Sequence, residues 1–160
     1  MANYAVTNGS SAATQVTATS TYSAIISVGA PVTAPRRGKL YDILVGTDGT
    51  PGDTALDFQV VQTTQIATGT AGGTLMTPPP LDPADAAAIA VTTINSTGTA
   101  TVTGNSLWFI GMNQRASYRW VCAPGSELVW PATASRALSL QAKSATYTGA
   151  LTGNVFFQEQ

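Results

Sequence analysis

A two-residue alternation of apolar and polar side chains, repeated in short runs between turn signals, limits the folds open to this chain more than any other feature. Even positions from 116 to 122 are apolar or aromatic, and odd positions from 115 to 119 are polar. Because strand side chains alternate between faces, this run predicts a half-buried β-strand with Arg115 and Arg119 on its outer face. The turn sequence Ala123-Pro124-Gly125-Ser126 follows.

The alternation then resumes at residues 127–130 and 138–143, so residues 115–143 predict three consecutive strands in one antiparallel sheet. Further predicted strands cover residues 22–28, 39–45, 56–60, 97–103, 107–110, 146–151 and 154–158. The continuous apolar run 107–110 predicts a strand covered on both faces. Eight or more short strands predict an all-β protein, an antiparallel β-sandwich of the jelly-roll type.

One short α-helix is predicted at about residues 83–91. Asp82 suits the N-cap, Pro83 the first helical position, and Asp85 can complete a capping box. The alanines that follow are strong helix formers. Asp82 and Asp85 could also be interpreted as an acid–base pair, but these capping positions already account for them.

The length of 160 residues fits a single domain, which the sequence places at residues 21–160. Residues 1–20 contain few bulky apolar side chains. They predict either a frayed tail or an extended N-terminal arm that orders on a neighbouring subunit. In the arm interpretation, Asn3, Tyr4 and Val6 are candidate contacts. The N-terminus has no basic segment followed by an apolar run, and no stretch is apolar enough to span a membrane, so neither a signal peptide nor a membrane association is predicted.

Composition excludes several kinds of chemistry. Histidine is absent and Cys122 is the single cysteine, which excludes Ser-His-Asp and Cys-His catalysis, an internal disulfide and a cysteine zinc site. The net charge of −1 gives no attraction to nucleic acid.

Only 9% of the residues are charged, against about 25% in an ordinary domain. A surface of short hydroxyl side chains loses little entropy when a partner covers it, although an ordinary Thr-rich β-domain has the same composition.

Each candidate site has a structural and a functional interpretation. Asp48, Asp53 and Asp57 lie in or beside a glycine-rich loop, where turn chemistry explains them better than a calcium site. The three tryptophans, Trp108, Trp120 and Trp130, lie on apolar strand faces; core packing is favoured, and a sugar-stacking platform is the alternative.

The basic residues are candidate contacts. Arg36 and Arg37 form the one basic cluster, which is either solvated or a salt-bridge site for an acidic partner. Arg115, Arg119 and Arg136 could pair with Glu127 or with a neighbour's carboxylates. No cofactor or metal is predicted. An enzyme is not predicted either, although one that uses carboxylates alone, with Asp42 and Glu127, is a weaker alternative.

The order of several segments resembles a family of small virion proteins of tailed bacteriophages. The segments are RGKLYD at 37–42, LDPAD at 81–85, NQRA at 113–116, RWV at 119–121, APG at 123–125, ELV at 127–129 and PATA at 131–134. The resemblance spans about residues 37–158. It implies a jelly-roll decoration, or cement, protein that binds the major capsid protein on the outer surface of the capsid, commonly as a homotrimer. It implies no catalytic residue.

The expected function is therefore that of a structural protein that stabilises a capsid against the pressure of packaged DNA. Its expected location is the outer surface of the virion, after synthesis in the cytoplasm of a bacterial host. The alternative is a carbohydrate-binding module or adhesin-like jelly roll of a phage fibre, spike or tail. The three tryptophans and the predicted sandwich motivate that alternative.

Overall fold

Antiparallel β-strands make up all the regular structure in residues 1–9, 20–64, 73–96, 101–144 and 149–160, which are the residues that the computed structural model describes. The strands are β1 (Asn3–Thr7), β2 (Ser23–Gly29), β3 (Gly38–Asp48), β4 (Ala55–Thr63), β5 (Thr74–Met76), β6 (Val91–Ile94), β7 (Trp108–Asn113), β8 (Tyr118–Val121), β9 (Leu128–Trp130), β10 (Ala137–Lys143) and β11 (Ala150–Glu159). The all-β class predicted from the alternation is confirmed.

The strands form two sheets. In sheet I the order is β1-β11-β3, and β8 and β9 lie one after the other along the remaining edge of β3. In sheet II the order is β5-β6-β2-β10-β4-β7. The two sheets pack face to face around one core, as in a β-sandwich, so this part of the prediction is also confirmed.

Period-two patterning determines which side chains enter this core. Along β11, the odd residues from Leu151 to Glu159 are buried and the even residues are half-buried. At Gly153 the sheets come so close that an added Cβ would lie 3.1 Å from Leu140 Cδ2 and 3.2 Å from Ile25 Cγ2. The largest fully buried side chains are Trp130, Phe58, Phe157, Ile25, Ile26, Leu40, Ile43, Leu56, Ile94, Leu138 and Leu140.

The centre of sheet II is buried on both faces. Leu138, Leu140 and Ala142 enter the core as predicted, but Ser139 and Gln141 on the opposite face of β10 are buried as well. They are paired across strands: Ser27 Oγ donates to Ser139 Oγ at 2.9 Å, and Gln59 Nε2 donates to Gln141 Oε1 at 3.0 Å. Hydrogen bonding offsets the cost of burying the bonded atoms, whereas Gln141 Nε2 is buried without a partner among the described residues.

The predicted three-stranded sheet at residues 115–143 is wrong. β8 and β9 do not pair with each other; each pairs with β3, and β10 belongs to sheet II. The turn between β8 and β9 is present, since Ser126 N–H donates to Ala123 O at 2.9 Å and Gly125 has φ of 87°. Because both strands run antiparallel to β3, the chain keeps its direction across this turn, and the eleven residues of β3 accommodate the two short strands one after the other.

The predicted helix at residues 83–91 is also wrong, because tertiary hydrogen bonds hold its backbone groups. Asp82 does cap a turn, with Ala84 N–H donating to its Oδ1 at 2.9 Å. Beyond that turn, the carboxylate of Glu159 accepts from Ile89 N–H at 3.1 Å and from Ala90 N–H at 2.5 Å. Two charge-assisted bonds to a buried carboxylate outweigh the modest helix propensity of a short alanine run.

The first residues of the predicted N-terminal arm belong to sheet I. β1 pairs with β11, and Tyr4 and Val6 lie in the core. The Tyr4 ring stacks on Phe157 at 5.4 Å, and its hydroxyl donates to Ala86 O at 3.1 Å. The prediction that these two side chains contact a neighbouring subunit is therefore corrected: they contact this chain's own core. Residues 10–19 of the same predicted arm lie outside the described residues.

Candidate functional site

The structure separates the predicted contact residues into three groups. Tyr4 and Val6 are in the core, as described above. Asn3 is half-buried at the start of β1. The five predicted arginines lie at the surface. Two of them form ion pairs with acidic side chains of this chain, and three form none among the residues that the structure describes.

Arg36, Arg37 and Arg136 lie at one end of the sandwich, which we call the basic end. Gly38, where β3 begins, is opposite Trp130, where β9 ends. Residues 131–136 connect that end of β9 to the start of β10. The segments that carry the three arginines therefore lie together, with Lys39 beside them at the start of β3.

Three hydrogen bonds hold the backbone of the basic end in place. Trp130 Nε1 donates to Arg36 O at 3.1 Å, and Gln160 N–H donates to Arg37 O at 2.9 Å. Ala30 N–H donates to Arg136 O at 2.9 Å. Arg36 and Arg37 are exposed, and none of the three guanidinium groups forms an ion pair within the described ranges. A fixed backbone that carries guanidinium groups without an internal ion pair among the described residues is suited to binding an external anionic partner.

Two residues of the loops at the basic end have unusual backbone conformations. Ala34 has φ of 53° and Ser135 has φ of 61°, in the left-handed region that disfavours residues with a Cβ. Each lies within two residues of one of the arginines. Such conformations cost free energy and are concentrated at functional sites. The local strain therefore agrees with a binding role for these two loops.

A cavity of about 340 Å³ also opens at the basic end. Gln62, Thr63, Thr133 and Arg136 contribute to its lining. Thr63 Oγ1 is buried and has no hydrogen-bond partner in the part of the chain that the structure describes. Arg136 thus borders a concave, partly polar surface, where a carboxylate could be bound more specifically than on a flat one.

Arg115 and Arg119 lie away from the basic end. Arg115 follows β7 at the opposite end, where its Nε lies 3.1 Å from Asp53 Oδ1 in an exposed ion pair. Arg119 is on the outer face of sheet I, where its Nε and Nη2 both donate to the buried carboxylate of Asp42. Both arginines have partners within this chain, so the structure brings together only three of the five predicted arginines.

The three tryptophans do not share one environment. Trp130 is only 1% exposed and packs edge-on against Phe157 at 5.4 Å. Trp108 of β7 and Trp120 of β8 are half-buried at the open side of the sandwich, with ring centroids 6.4 Å apart. Tyr118, an exposed residue, lies 6.2 Å from Trp108. These three rings, which we call the aromatic cluster, connect the edges of the two sheets.

The acidic residues are engaged in local structure. Hydrogen bonds from its own backbone N–H and from that of Gly125 lower the pKa of the Glu127 carboxyl group. Asp53 pairs with Arg115, and Asp57 lies 3.8 Å from Lys143 Nζ. Among the described residues, no three metal-ligating side chains form a cluster.

Cys122 is half-buried. Its burial, and to a smaller extent the negative charge of Glu127, raises the pKa of its thiol.

Two polar clusters were not identified from the sequence. Glu159 connects the end of sheet I to residues 89–90, and Asn8 is hydrogen-bonded to Asn95 across the sandwich. A charged residue at the end of an alternating run is normally solvated, and Asn8-Gly9 resembles a turn. Neither position therefore carries a sequence pattern that indicates burial.

In the ranges that the structure describes, no helix has the length and apolar character needed to cross a membrane. Comparisons of the chain with protein-family models, with curated proteins and with solved structures found no significant match.

Proposed function

We propose that this chain is a structural virion protein, a jelly-roll decoration or cement protein that binds the major capsid protein on the outer surface of a tailed-phage capsid. The observation that carries the proposal is the basic end, where Arg36, Arg37 and Arg136 are held by fixed backbone and lack acidic partners within the described residues. The segment order described above supports the choice of a capsid as the acidic partner and implies a homotrimer.

The mechanism of stabilisation is thermodynamic. A protein that binds the assembled lattice and not its separated subunits stabilises the lattice by mass action. Many copies arranged by symmetry add avidity without requiring one strong contact in each. The positive charge of the three arginines steers the protein toward its acidic partner as the two diffuse together. The low proportion of charged residues elsewhere keeps the cost of removing water from the binding surface small.

Charge reversal at the basic end tests the proposal. The double substitution Arg36→Glu and Arg37→Glu is expected to weaken binding to empty capsids at least tenfold, or about 1.4 kcal/mol, because attraction becomes repulsion. Wild-type binding should also weaken as salt is added. Sedimentation with capsids measures both effects. Arg115→Glu at the opposite end is the matched control and should retain binding.

Thermal release of DNA tests the stabilising role itself. Virions that carry the wild-type protein are expected to release DNA at a higher temperature than virions that lack it, with the double variant close to the latter. Equal release temperatures with and without the protein would contradict the proposal.

The aromatic cluster favours a second candidate, a carbohydrate-binding module or adhesin-like domain. Trp108, Trp120 and Tyr118 present partly exposed rings at one side of the sandwich, and rings of this kind stack on sugar faces. Trp130, which is buried, cannot take part.

For this candidate, Trp108→Ala or Trp120→Ala is expected to reduce glycan binding by roughly threefold to tenfold. A glycan array followed by titration calorimetry measures the change. Val121→Ala, which removes an exposed apolar side chain from the outer face of sheet I, is the control. Absence of binding by the wild-type chain across the array would exclude the second candidate.

A further inference from the structure

β7 is an open edge of sheet II. Its six residues pair with β4 on one side, and no strand in the described residues pairs with the other. Exposure alternates along it, and Phe109 is 56% exposed. The sequence predicted that residues 107–110 are covered on both faces, which is wrong. An open strand carries unpaired N–H and C=O groups that can accept another strand.

The other sheet edges have protecting features that β7 lacks. β5 has only three residues and is followed by Pro78, Pro79 and Pro80. β1 is bordered by the chain at residues 79–81, with Ala5 N–H donating to Pro79 O at 3.3 Å and Leu81 N–H donating to Asn3 O at 2.7 Å. β8 and β9 are short and separated by a turn. β7 contains neither a charged residue nor a proline.

The pairing with β4 determines which backbone groups of β7 are open. Gln114 N–H donates to Thr54 O at 3.1 Å, continuing the register in which Met112 is opposite Leu56 and Ile110 opposite Phe58. In an antiparallel ladder, alternate residues direct both backbone groups to the same neighbour. The even-numbered residues therefore bond β4, and the backbone groups of Phe109 and Gly111 point to the open edge. Asn113 O already accepts from Ala116 N–H at 2.9 Å.

We propose that β7 pairs antiparallel with β7 of a second copy of this chain, about a two-fold axis at Ile110. That register uses the open groups of Phe109 and Gly111 and places each Phe109 opposite the Gly111 of the other copy. Phe109 and Gly111 have the same parity, so the ring of one copy lies on the face where the other has no side chain. An aromatic side chain beside an edge glycine stabilises such a pair.

The occupant is a second copy because the strand is complementary to itself. β7 brings no charge to the pair, so two copies meet without repulsion. The exposed side chains of Leu107 and Val102, in the segment before β7, add apolar surface on the same side of β4. The pairing needs no capsid and is independent of the proposed function. It also leaves the basic end free, because that end lies across the strand ends and not along an edge.

The mass of the protein in solution tests the proposal. Wild-type protein is expected to contain an even number of copies by light scattering or native mass spectrometry, two if this is the only contact and six if a trimer also forms. Phe109→Lys should halve that mass, because lysine is a residue that protects natural edges. Val121→Lys is the matched control, since Val121 is 59% exposed on the other sheet, and it should retain the wild-type mass. A wild-type mass of one or three copies overturns the proposal.

Two further variants test the register. Gly111→Val fills the space opposite Phe109 and should also halve the mass, while circular dichroism confirms that the β-fold is retained. Among the described residues, the one atom within 4 Å of the added Cβ is Asp57 Oδ1 at 3.1 Å, the end of a flexible side chain.

In a Cys122→Ser background, Ile110→Cys should form an intermolecular disulfide on mild oxidation. The two residues would form a non-hydrogen-bonded pair with Cα atoms about 4.5 Å apart, within disulfide range. Asn113→Cys, which would be far from its counterpart, should not. Equal cross-linking at both positions, or none at residue 110, contradicts the register. Capsid binding by a wild-type protein of three copies would overturn the strand pair and leave the proposed function intact.

Discussion

Trp130→Ala is expected to lower the free energy of unfolding by about 3–5 kcal/mol, the range for removal of a large aromatic side chain from a core. The ring is buried, packs against Phe157 with an interplanar angle of 67°, and covers Gly38 so closely that a Cβ there would lie 1.9 Å from it. Its Nε1 also donates a hydrogen bond to the backbone carbonyl of Arg36. The substitution therefore removes core packing and one support of the basic end.

Urea unfolding followed by circular dichroism measures the change. Trp120→Ala is the matched control, because it deletes the same side chain from a half-buried position and should cost clearly less. If the two variants lost equal stability, the placement of Trp130 at the centre of the core would be contradicted.

Asn8→Ala is expected to cost about 3 kcal/mol, because it leaves several buried polar groups without partners. Asn8 Nδ2 donates to Asn95 Oδ1 at 2.9 Å and to Leu151 O at 2.7 Å, while its Oδ1 accepts from Gly153 N–H at 2.7 Å. Asn95 Nδ2 returns a bond to the Asn8 carbonyl at 2.9 Å. One asparagine therefore joins the end of β1 to β11 and to the end of β6.

The same unfolding measurement applies, with Asn154→Ala as the control, since Asn154 is half-buried on the outer face of β11. A cost below about 1 kcal/mol for Asn8→Ala would contradict the network. Both asparagines also begin sequences that match the glycosylation sequon, Asn8-Gly9-Ser10 and Asn95-Ser96-Thr97. Asn8 and Asn95 are buried and bonded to each other, so neither side chain is available for a glycan.

The local alternation of side chains was sufficient to locate most strands. Residues 22–28 and 138–143 were predicted as strands from period two, and residues 39–45 from a run that is apolar on both parities. The strands β2, β3 and β10 lie at these positions within three residues at each end. The turn at residues 123–126 was also predictable, because proline fixes its own φ and glycine accepts the positive φ that Gly125 adopts. At the candidate site, the sequence indicated Arg36 and Arg37 as a basic cluster.

The sequence could not indicate that Arg136 joins this cluster, because Arg136 is far from Arg36 and Arg37 along the chain. The open edge at Phe109 was missed for a related reason. A continuous apolar run is the same whether a strand lies at the centre or at the margin of a sheet. Strand order decides between the two, and strand order is a property of the whole chain.

By itself, then, the sequence determined the all-β class, the positions of most strands though not of β1, β5 and β6, and the absence of histidine chemistry. Tertiary structure alone decided that β8 and β9 both pair with β3, that residues 83–91 form no helix, and that Tyr4 and Asn8 are buried. The physical reason is that a strand's backbone groups bond equally well to any strand of suitable length. The choice among partners depends on which arrangement buries the most apolar surface while keeping the buried polar groups of distant segments, such as Glu159, hydrogen-bonded.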